Sequence, residues 1–405
     1  MNVFFFQIVF PHHFFPPKMA FSLFIFVILF LCCVVSPSPD TPIPNYTISL
    51  ETPPSNRWPP ILSSLFPNPS DLLDTISLLY SETKKRLTLC PPGSPCASSL
   101  ASIFASRYPD QAEELRSIAA YIAQLPQGQS PRPDYETLVI WQYFYEISHI
   151  TTDSNDYSDD PFGCTSLICV DKTGRVYHGR NLDFASEAQY RLGINSRWTR
   201  NGKVAFIADQ PTINAVGFPT VAGLNFAFSY NWRKDPEDKM TVEDFLNCAS
   251  LPNTLAPLSS AVRQITEKNV SFQNAATIFE RETLCAPAYI AVSGINAGEI
   301  IVRSRTKALK IDTVSKDGMW FAVQDNTDPW REPSKGDDRA GLARSVLKKM
   351  GQDQAASQNG LWEVLSTKGT NEQKGVLNNK TVYTAVYGTG LPFYVDAFRH
   401  ETGQN

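Results

Sequence analysis

Histidine is scarce in this chain of 405 residues. There are five, and only His149, His178 and His400 lie beyond the apolar N-terminal stretch. A nucleophile that borrows an imidazole base therefore has few candidates, and no papain-like motif surrounds any of them. No His/Cys/Glu ligand spacing and no glycine-rich phosphate loop occurs, so neither a metal nor an organic cofactor is implied. A formal net charge of −4 removes the polybasic argument for nucleic acid. No long apolar run follows the N-terminus, which reads as a soluble body, and there are no internal repeats or long low-complexity tracts. Beyond Cys285 there is no cysteine at all, which excludes any disulfide from that part of the chain.

What is present begins with an address. Ala20 to Val35 is an apolar core preceded by Lys18 and followed by Ser36-Pro37-Ser38-Pro39, the layout of a secretory signal peptide over residues 1–36. Met19 makes a more ordinary start than Met1, so residues 1–18 read as an upstream extension; an uncleaved signal anchor is the alternative. Asn45-Tyr46-Thr47, Asn269-Val270-Ser271 and Asn379-Lys380-Thr381 are glycosylation sequons that fit a secreted or lysosomal route. Of eight cysteines, Cys32 and Cys33 leave with the signal. Cys90 and Cys96 bracket a small loop that reads as a disulfide in an oxidising compartment, and Cys248 and Cys285 are the next pair available, their connectivity left open. Cys164 and Cys169 sit five apart in one strand, on opposite faces, and cannot bond each other.

The segment from Pro42 to Pro60 is proline-rich and irregular. From Ser70 the pattern is helical, with Leu72, Leu73, Ile76, Leu79 and Tyr80 on one face and Lys84-Lys85-Arg86 in the last turn. A second helix is expected to open at Asp110 with a capping box to Glu113. Leu138 to Ile147 reads as a buried helix or strand. Thr151 to Gly163 is acidic and turn-rich, an exposed flexible loop. Beyond Asp183, strand character at 204–208, 225–230, 289–293, 300–303, 320–324 and 381–387 alternates with helical candidates at 243–248, 274–282 and 338–349. Periodicity alone supports an α+β class with packed antiparallel sheets covered by helices.

The most informative stretch is a hairpin. An apolar run from Thr165 to Val170 meets the turn Asp171-Lys172-Thr173-Gly174, and a return strand starts at Arg175. The antiparallel return brings Arg180 and Asp183 back towards Cys164. Amide hydrolysis needs a nucleophile, a proton acceptor and donors for an oxyanion. Where histidine is lacking, a cysteine at a chain terminus can use its own α-amine, of ordinary pKa near 8, as the base.

Cys164-Thr165-Ser166 followed by His178-Gly179-Arg180-Asn181-Leu182-Asp183-Phe184 resembles the cysteine N-terminal-nucleophile (Ntn) hydrolases of choloylglycine-hydrolase type. Within them the match is to the acid ceramidase and N-acylethanolamine-hydrolysing acid amidase family. Gln324-Asp325-Asn326-Thr327-Asp328-Pro329-Trp330, Asp337-Asp338-Arg339 and Thr381-Val382-Tyr383-Thr384 extend the likeness, and Asn45 to Trp58 resembles that family's mature N-terminal strand. The resemblance implies a four-layer αββα sandwich with an N-terminal helical segment. It implies a zymogen that cuts itself between Gly163 and Cys164 into a mainly helical α-subunit (37–163) and a catalytic β-subunit (164–405), an α/β heterodimer. The substrate would be a fatty-acyl amide such as a ceramide or N-acylethanolamine, met in transient contact with a membrane surface.

By the same resemblance, Cys164 is nucleophile and, through its amine, base. Asp183 orients both, Arg180 holds the thiolate and lowers its pKa, Asn326 donates to the oxyanion and Arg339 organises the site. Three departures stand against the pattern. The family's Glu-Arg pair is replaced by Phe226-Ala227, a carboxylate at Asp325 stands beside the oxyanion donor, and the loop before Cys164 is an insertion. Two rivals remain: an amidase for another acyl amide, bile-acid or penicillin-like, and an inactive lipid-binding relative. The subunits would be held by packing or by a bridge through Cys248 or Cys285.

Overall fold

The computed structural model describes residues 41–126, 131–150, 162–184, 186–211, 220–235, 237–388 and 395–399. Contacts divide the chain after Thr41, and the unit from Pro42 onward contains every helix among the described residues. The signal segment at 1–36 and residues 151–161 of the acidic loop lie outside the described residues.

Prolines punctuate the N-terminal part. Pro59, Pro69, Pro95 and Pro109 each open a helix, where a missing N–H costs nothing: Pro59–Leu65, Pro69–Leu87, Pro95–Arg107 and Pro109–Gln124. Pro109 also overturns the expected capping box. The helix starts one residue before Asp110, with Tyr108 at the N-cap and no side-chain cap, and Glu113 instead pairs with Arg116 at 3.4 Å. The stretch left open between helix and strand is helical, as Tyr135–Gln142 and Phe144–Ile147. The N-terminal strand is shorter than the resemblance implied, Asn45–Ser49 only; Arg57 and Trp58 come after a 3-10 turn over Pro54–Asn56.

The remaining strands form two sheets. The first runs, in order, Val395–Arg399, Thr381–Gly388, Val176–Phe184, Phe162–Val170 and Phe321–Gln324, every pair antiparallel. The second has eight strands: Ala308–Ser315, Ala297–Arg303, Ala288–Ser293, Ala227–Trp232, Thr220–Gly223, Lys203–Pro211, Gly193–Arg200 and Asn45–Ser49. Asn45–Ser49 pairs parallel with Gly193–Arg200, so a strand from the N-terminal segment completes a sheet of the C-terminal one. Ile168, Val170, Val176, Ala291, Ile300, Val314 and Ala322 fill part of the space between the sheets. On the outer face of the first sheet, Leu167, Cys169 and Val386 pack against Ala343, Leu347, Leu361 and Leu365 of the helices Arg339–Met350 and Gln358–Leu365. The helices Leu258–Glu267 and Phe272–Arg281 cover the second sheet, giving the order helix, sheet, sheet, helix expected of an αββα sandwich.

The hairpin forms with the register its turn dictates, from Phe162↔Phe184 to Val170↔Val176. Asp171 Oδ1 accepts N–H bonds from Thr173 at 2.8 Å and Arg175 at 2.9 Å, and Gly174 takes a φ of +94° that only glycine adopts without strain. Cys90–Cys96 and Cys248–Cys285 are both disulfides. Each lies within one of the two expected subunits, so the bridge between subunits through Cys248 or Cys285 does not exist. These two parts are joined by packing and polar contacts instead. Glu114 is held by Arg57 and Trp58 on one side and Arg263 on the other, Ser186 donates to Glu82 at 2.5 Å, and Tyr108 donates to Ala256 O at 3.2 Å.

Candidate active site

Side-chain alternation divides the hairpin's chemistry between two faces. On the inner face, towards the second sheet, stand Cys164, Ser166, His178 and Arg180; on the outer face stands Asp183, three residues from Arg180. Cys164 lies opposite Leu182, and Arg180 opposite Ser166. The Arg180 guanidinium reaches back to the thiol: its NH2 lies 3.5 Å from Cys164 Sγ and donates to Tyr230 O at 2.7 Å. Its NH1 faces the hydroxyls of Thr220 and Tyr383, each at 3.4 Å. Thiol and guanidinium are both fully buried.

Asp183 is not beside the thiol. It pairs with Gly163, and its carboxylate points into the outer layer. There Oδ1 accepts the Thr381 hydroxyl at 2.6 Å, and Oδ2 accepts Asn378 Nδ2 and Arg339 NH1, each at 2.8 Å. Arg339 is the hub. The same NH1 donates to Cys164 O at 3.0 Å, NH2 to Asn326 Oδ1 at 3.0 Å, and Nε to Asp337 at 2.7 Å. Asn326 closes the ring: its Oδ1 also accepts the Cys164 N–H at 2.6 Å, while its Nδ2 donates to Trp232 O at 2.7 Å. Two donors on one oxygen and a carbonyl at the nitrogen fix the orientation of this amide. All five residues singled out in the sequence thus surround the Gly163–Cys164 peptide bond, four in one hydrogen-bonded set and Arg180 across the strand. That bond sits inside a paired strand, one residue in from its start.

The carboxylate at Asp325 does not face the thiol. Its Oδ2 accepts the Ala340 N–H at 3.1 Å, at the start of the helix Arg339–Met350, and its Oδ1 accepts the Thr327 N–H at 2.8 Å. Burial raises its pKa above the usual 3.8, with Arg339 pulling the other way. Asp328 anchors the far end of the loop, accepting from Arg233 at 2.7 and 3.0 Å and from Tyr289 at 2.9 Å. Asn326 is therefore presented by a loop pinned on both sides. The replaced pair Phe226-Ala227 is buried apolar core, Phe226 packing on Phe279.

Three residues in this network carried no role in the sequence. Thr381 begins the recognised Thr-Val-Tyr-Thr stretch, so its position was legible but its bond to Asp183 was not. Tyr383 lies in the same stretch, its place beside Arg180 likewise unread, and Asn378 gave no signal of its own. His178 is enclosed between Ser229 Oγ at 2.8 Å and Ser293 Oγ at 3.1 Å, and burial lowers its pKa to about 3. It stays neutral and touches no reacting atom. Among the described residues no cluster of three metal-ligating side chains occurs. A cavity of about 580 Å³ lies behind the Asn326 loop, lined by Asp325, Thr327, Phe321 and Arg344 but not by Cys164.

No model of a known protein family matches the chain. Individual proteins do. The N-acylethanolamine-hydrolyzing acid amidase of Caenorhabditis elegans is 29% identical over 401 residues, 93% of this chain and 98% of that protein. The acid ceramidase of Balaenoptera acutorostrata scammoni is 26% identical over 375 residues, and that of Homo sapiens 27% over 380, each alignment covering 85% of this chain and 83% of the relative. Among solved structures, a chain of the Caenorhabditis elegans amidase superposes with a TM-score of 0.47 at 30% identity, over 56% of this chain and 94% of that one.

Proposed function

This chain belongs to the acid ceramidase and N-acylethanolamine-hydrolysing acid amidase family, and from that premise we propose that it is a zymogen that cuts itself at Gly163–Cys164 and then hydrolyses fatty-acyl amides through a thioester on Cys164. It is an amidohydrolase, as its amidase and ceramidase relatives are. The observation that carries the self-cleavage reading is the polar ring at Cys164, with Asn326 Oδ1 accepting the Cys164 N–H of the proposed scissile bond and Arg339 donating to the Cys164 carbonyl of the next peptide unit.

In the first reaction Cys164 Sγ attacks the Gly163 carbonyl carbon. The C–N bond breaks, the thiol proton is balanced by the one the nitrogen gains, and a Gly163 thioester results. Water then releases the Gly163 carboxylate and leaves Cys164 with a free thiol and a free amine. Arg180 lies where it would stabilise the thiolate. In the second reaction the amine takes the thiol proton, the sulfur attacks the substrate carbonyl, and the ammonium returns the proton to the leaving amine; water then cleaves the acyl thioester, releasing the fatty acid and restoring the thiol. The Asn326 amide would then donate to the substrate oxyanion, with Asp183 and Arg339 holding the new terminus.

Complete burial of Cys164 in the uncut chain supports a zymogen, since substrate has no access to the thiol before cleavage. Exposure of Asn45, Asn269 and Asn379 supports glycosylation in a secreted or lysosomal protein. After cutting, an α chain to Gly163 and a β chain from Cys164 would stay together through the polar contacts of Glu114, Ser186 and Tyr108 and the packing around them. The test is intact mass and N-terminal sequencing of the secreted chain after acidification. A new terminus at Cys164, absent from Cys164→Ala, is expected. A Cys164→Ala chain that still splits there refutes the mechanism, and a cut chain that binds acyl amides without turnover would make it a lipid-binding relative.

A further inference from the structure

His149 meets a backbone carbonyl at both ring nitrogens: Nδ1 lies 2.9 Å from Tyr145 O, and Nε2 lies 3.0 Å from Arg233 O. A carbonyl oxygen can only accept, and a neutral imidazole carries a single N–H, so only the imidazolium satisfies both at once. The ring is 9% exposed and lies between the rings of Tyr145 and Trp232, at 4.9 and 5.1 Å. In the neutral form, one of the two buried carbonyls therefore loses its donor from this ring.

The two carbonyls belong to separate parts of the chain. Tyr145 is in the helix Phe144–Ile147, on the α side of the cleavage point. Arg233 directly follows the strand Ala227–Trp232, and it is Trp232 O that receives Asn326 Nδ2 at 2.7 Å. Asn326 in turn holds the Cys164 N–H. We propose that His149, as the imidazolium, is a positioning residue for self-cleavage, bracing Arg233 against Tyr145 and thereby holding Trp232 O and Asn326 on the Gly163–Cys164 bond. This rests on the self-cleavage reading of the Cys164 site.

The charges around the ring are paired except at Glu146, a buried carboxyl with no cation beside it, whose pKa burial raises to about 7. Arg233 is held by Asp328 and, at 2.7 Å, by Asp235; Arg331 reaches Asp328 at 3.3 Å; Asp238 pairs with Arg305 at 2.7 Å. Glu146, next to Tyr145, accepts the Leu258 N–H, and Tyr289 donates to Asp328. Burial holds the His149 pKa below 6.5, with Arg233 adding to it and both carbonyls and Asp238 opposing. The second proton is thus taken up only on the acid side of 6.5. Because the folded chain binds that proton more weakly than the unfolded one, acid adds no global stability here. What it adds is the second hydrogen bond, and with it a pH dependence of cleavage.

The test uses the full chain, kept uncut near neutral pH and then acidified, with cleavage followed by intact mass. Wild type should cut about tenfold faster near pH 4.5 than near pH 7, as expected for gaining one buried hydrogen bond. His149→Phe keeps a ring between Tyr145 and Trp232 but donates nothing, and its two rates should agree within about twofold. A second readout does not depend on that variant folding. In uncut Cys164→Ala, nitrogen-15 spectra of the His149 ring should show two N–H groups in acid and one near neutrality. A folded His149→Phe chain with the wild-type pH profile, or a His149 ring with one N–H throughout, overturns the inference. A wild-type chain that stays whole at every pH overturns the self-cleavage reading itself, and this inference with it.

Discussion

Replacing Glu114 by Gln should loosen the joint between the N-terminal helices and the catalytic sandwich more than any other single change of shape-conserving kind. Four donors converge on this buried carboxylate. Oε1 accepts from Arg57 NH1 and Arg263 NH2, both at 2.7 Å, and Oε2 from Trp58 Nε1 at 2.7 Å and Arg263 NH1 at 2.6 Å. Burial raises its pKa, but Arg263, Trp58 and Arg57 together outweigh burial and hold it below the usual 4.5. The carboxylate therefore stays ionised as pH falls until that lowered value is passed, and its contribution persists into mild acid. Gln has the same shape but no charge, and its amide N–H groups would face two of the four donors. Two guanidinium groups, one of them shared with Glu267, lose their common partner. Breaking a buried ion pair from one side costs about 3–5 kcal/mol. For a chain of this size that corresponds to a melting temperature lower by roughly 4–7 °C. Thermal unfolding of uncut Cys164→Ala with and without Glu114→Gln measures it. In the chain that keeps Cys164, Glu114→Gln should release its α chain on gel filtration after cleavage, where the wild type holds it. A melting point within about 2 °C of the parent would refute the assignment of this cluster as the main polar joint.

Two further outcomes are expected from the geometry. A Cβ at Gly163 would lie 3.2 Å from Arg339 NH1 and from Asp183 Cβ, so Gly163→Val must displace the residues around the proposed cleavage site. The variant should fold but self-cleave at least about tenfold more slowly, a loss typical of sub-ångström misplacement, and cleavage at the parental rate would contradict it. Glu146 is buried, accepts the Leu258 N–H, and has its pKa raised by burial from 4.5 to about 7. Its folded form binds the proton more tightly than the unfolded chain, so its stabilisation is full below the unfolded value and is lost as pH rises through about 7. Up to roughly 3 kcal/mol rides on that proton. Glu146→Gln, neutral throughout, should flatten the fall in melting temperature between mild acid and neutrality; an unchanged slope would assign the pH dependence elsewhere.

The local order of elements was legible because period and turn chemistry act over a few residues. The hairpin from Phe162 to Phe184 needed only β-branched alternation and an Asp-x-x-Gly turn. The helix beginning near Ser70 needed only its apolar stripe. Where two local signals competed, reading failed: Asp110 and Glu113 have capping-box chemistry, but Pro109 starts the helix earlier. The strands Gly193–Arg200 and Ala308–Ser315 escaped notice: the second alternates Leu309 and Ile311 with Lys310 and Asp312 but leaves those apolar side chains exposed, and neighbouring strands define both.

The residues around Cys164 were named from sequence motifs, since short patterns record which side chains a chemistry requires. How they are arranged was not so recorded. Sequence spacing put Asp183 near the thiol; the register puts it opposite Gly163, with its carboxylate on the other face, bound by Arg339, Asn378 and Thr381. The threat from Asp325 dissolves only once the Ala340 N–H is seen to take its oxygen. Likewise, no pattern could show that Glu114 joins Arg57 to Arg263, or that His149 bridges two carbonyls. Those bonds link residues far apart in the chain. Hydrophobic period and turn propensity are properties of neighbours and survive in the linear order of residues. A buried polar network depends on which strands pair, in what register and against which helices, and only the folded packing decides that.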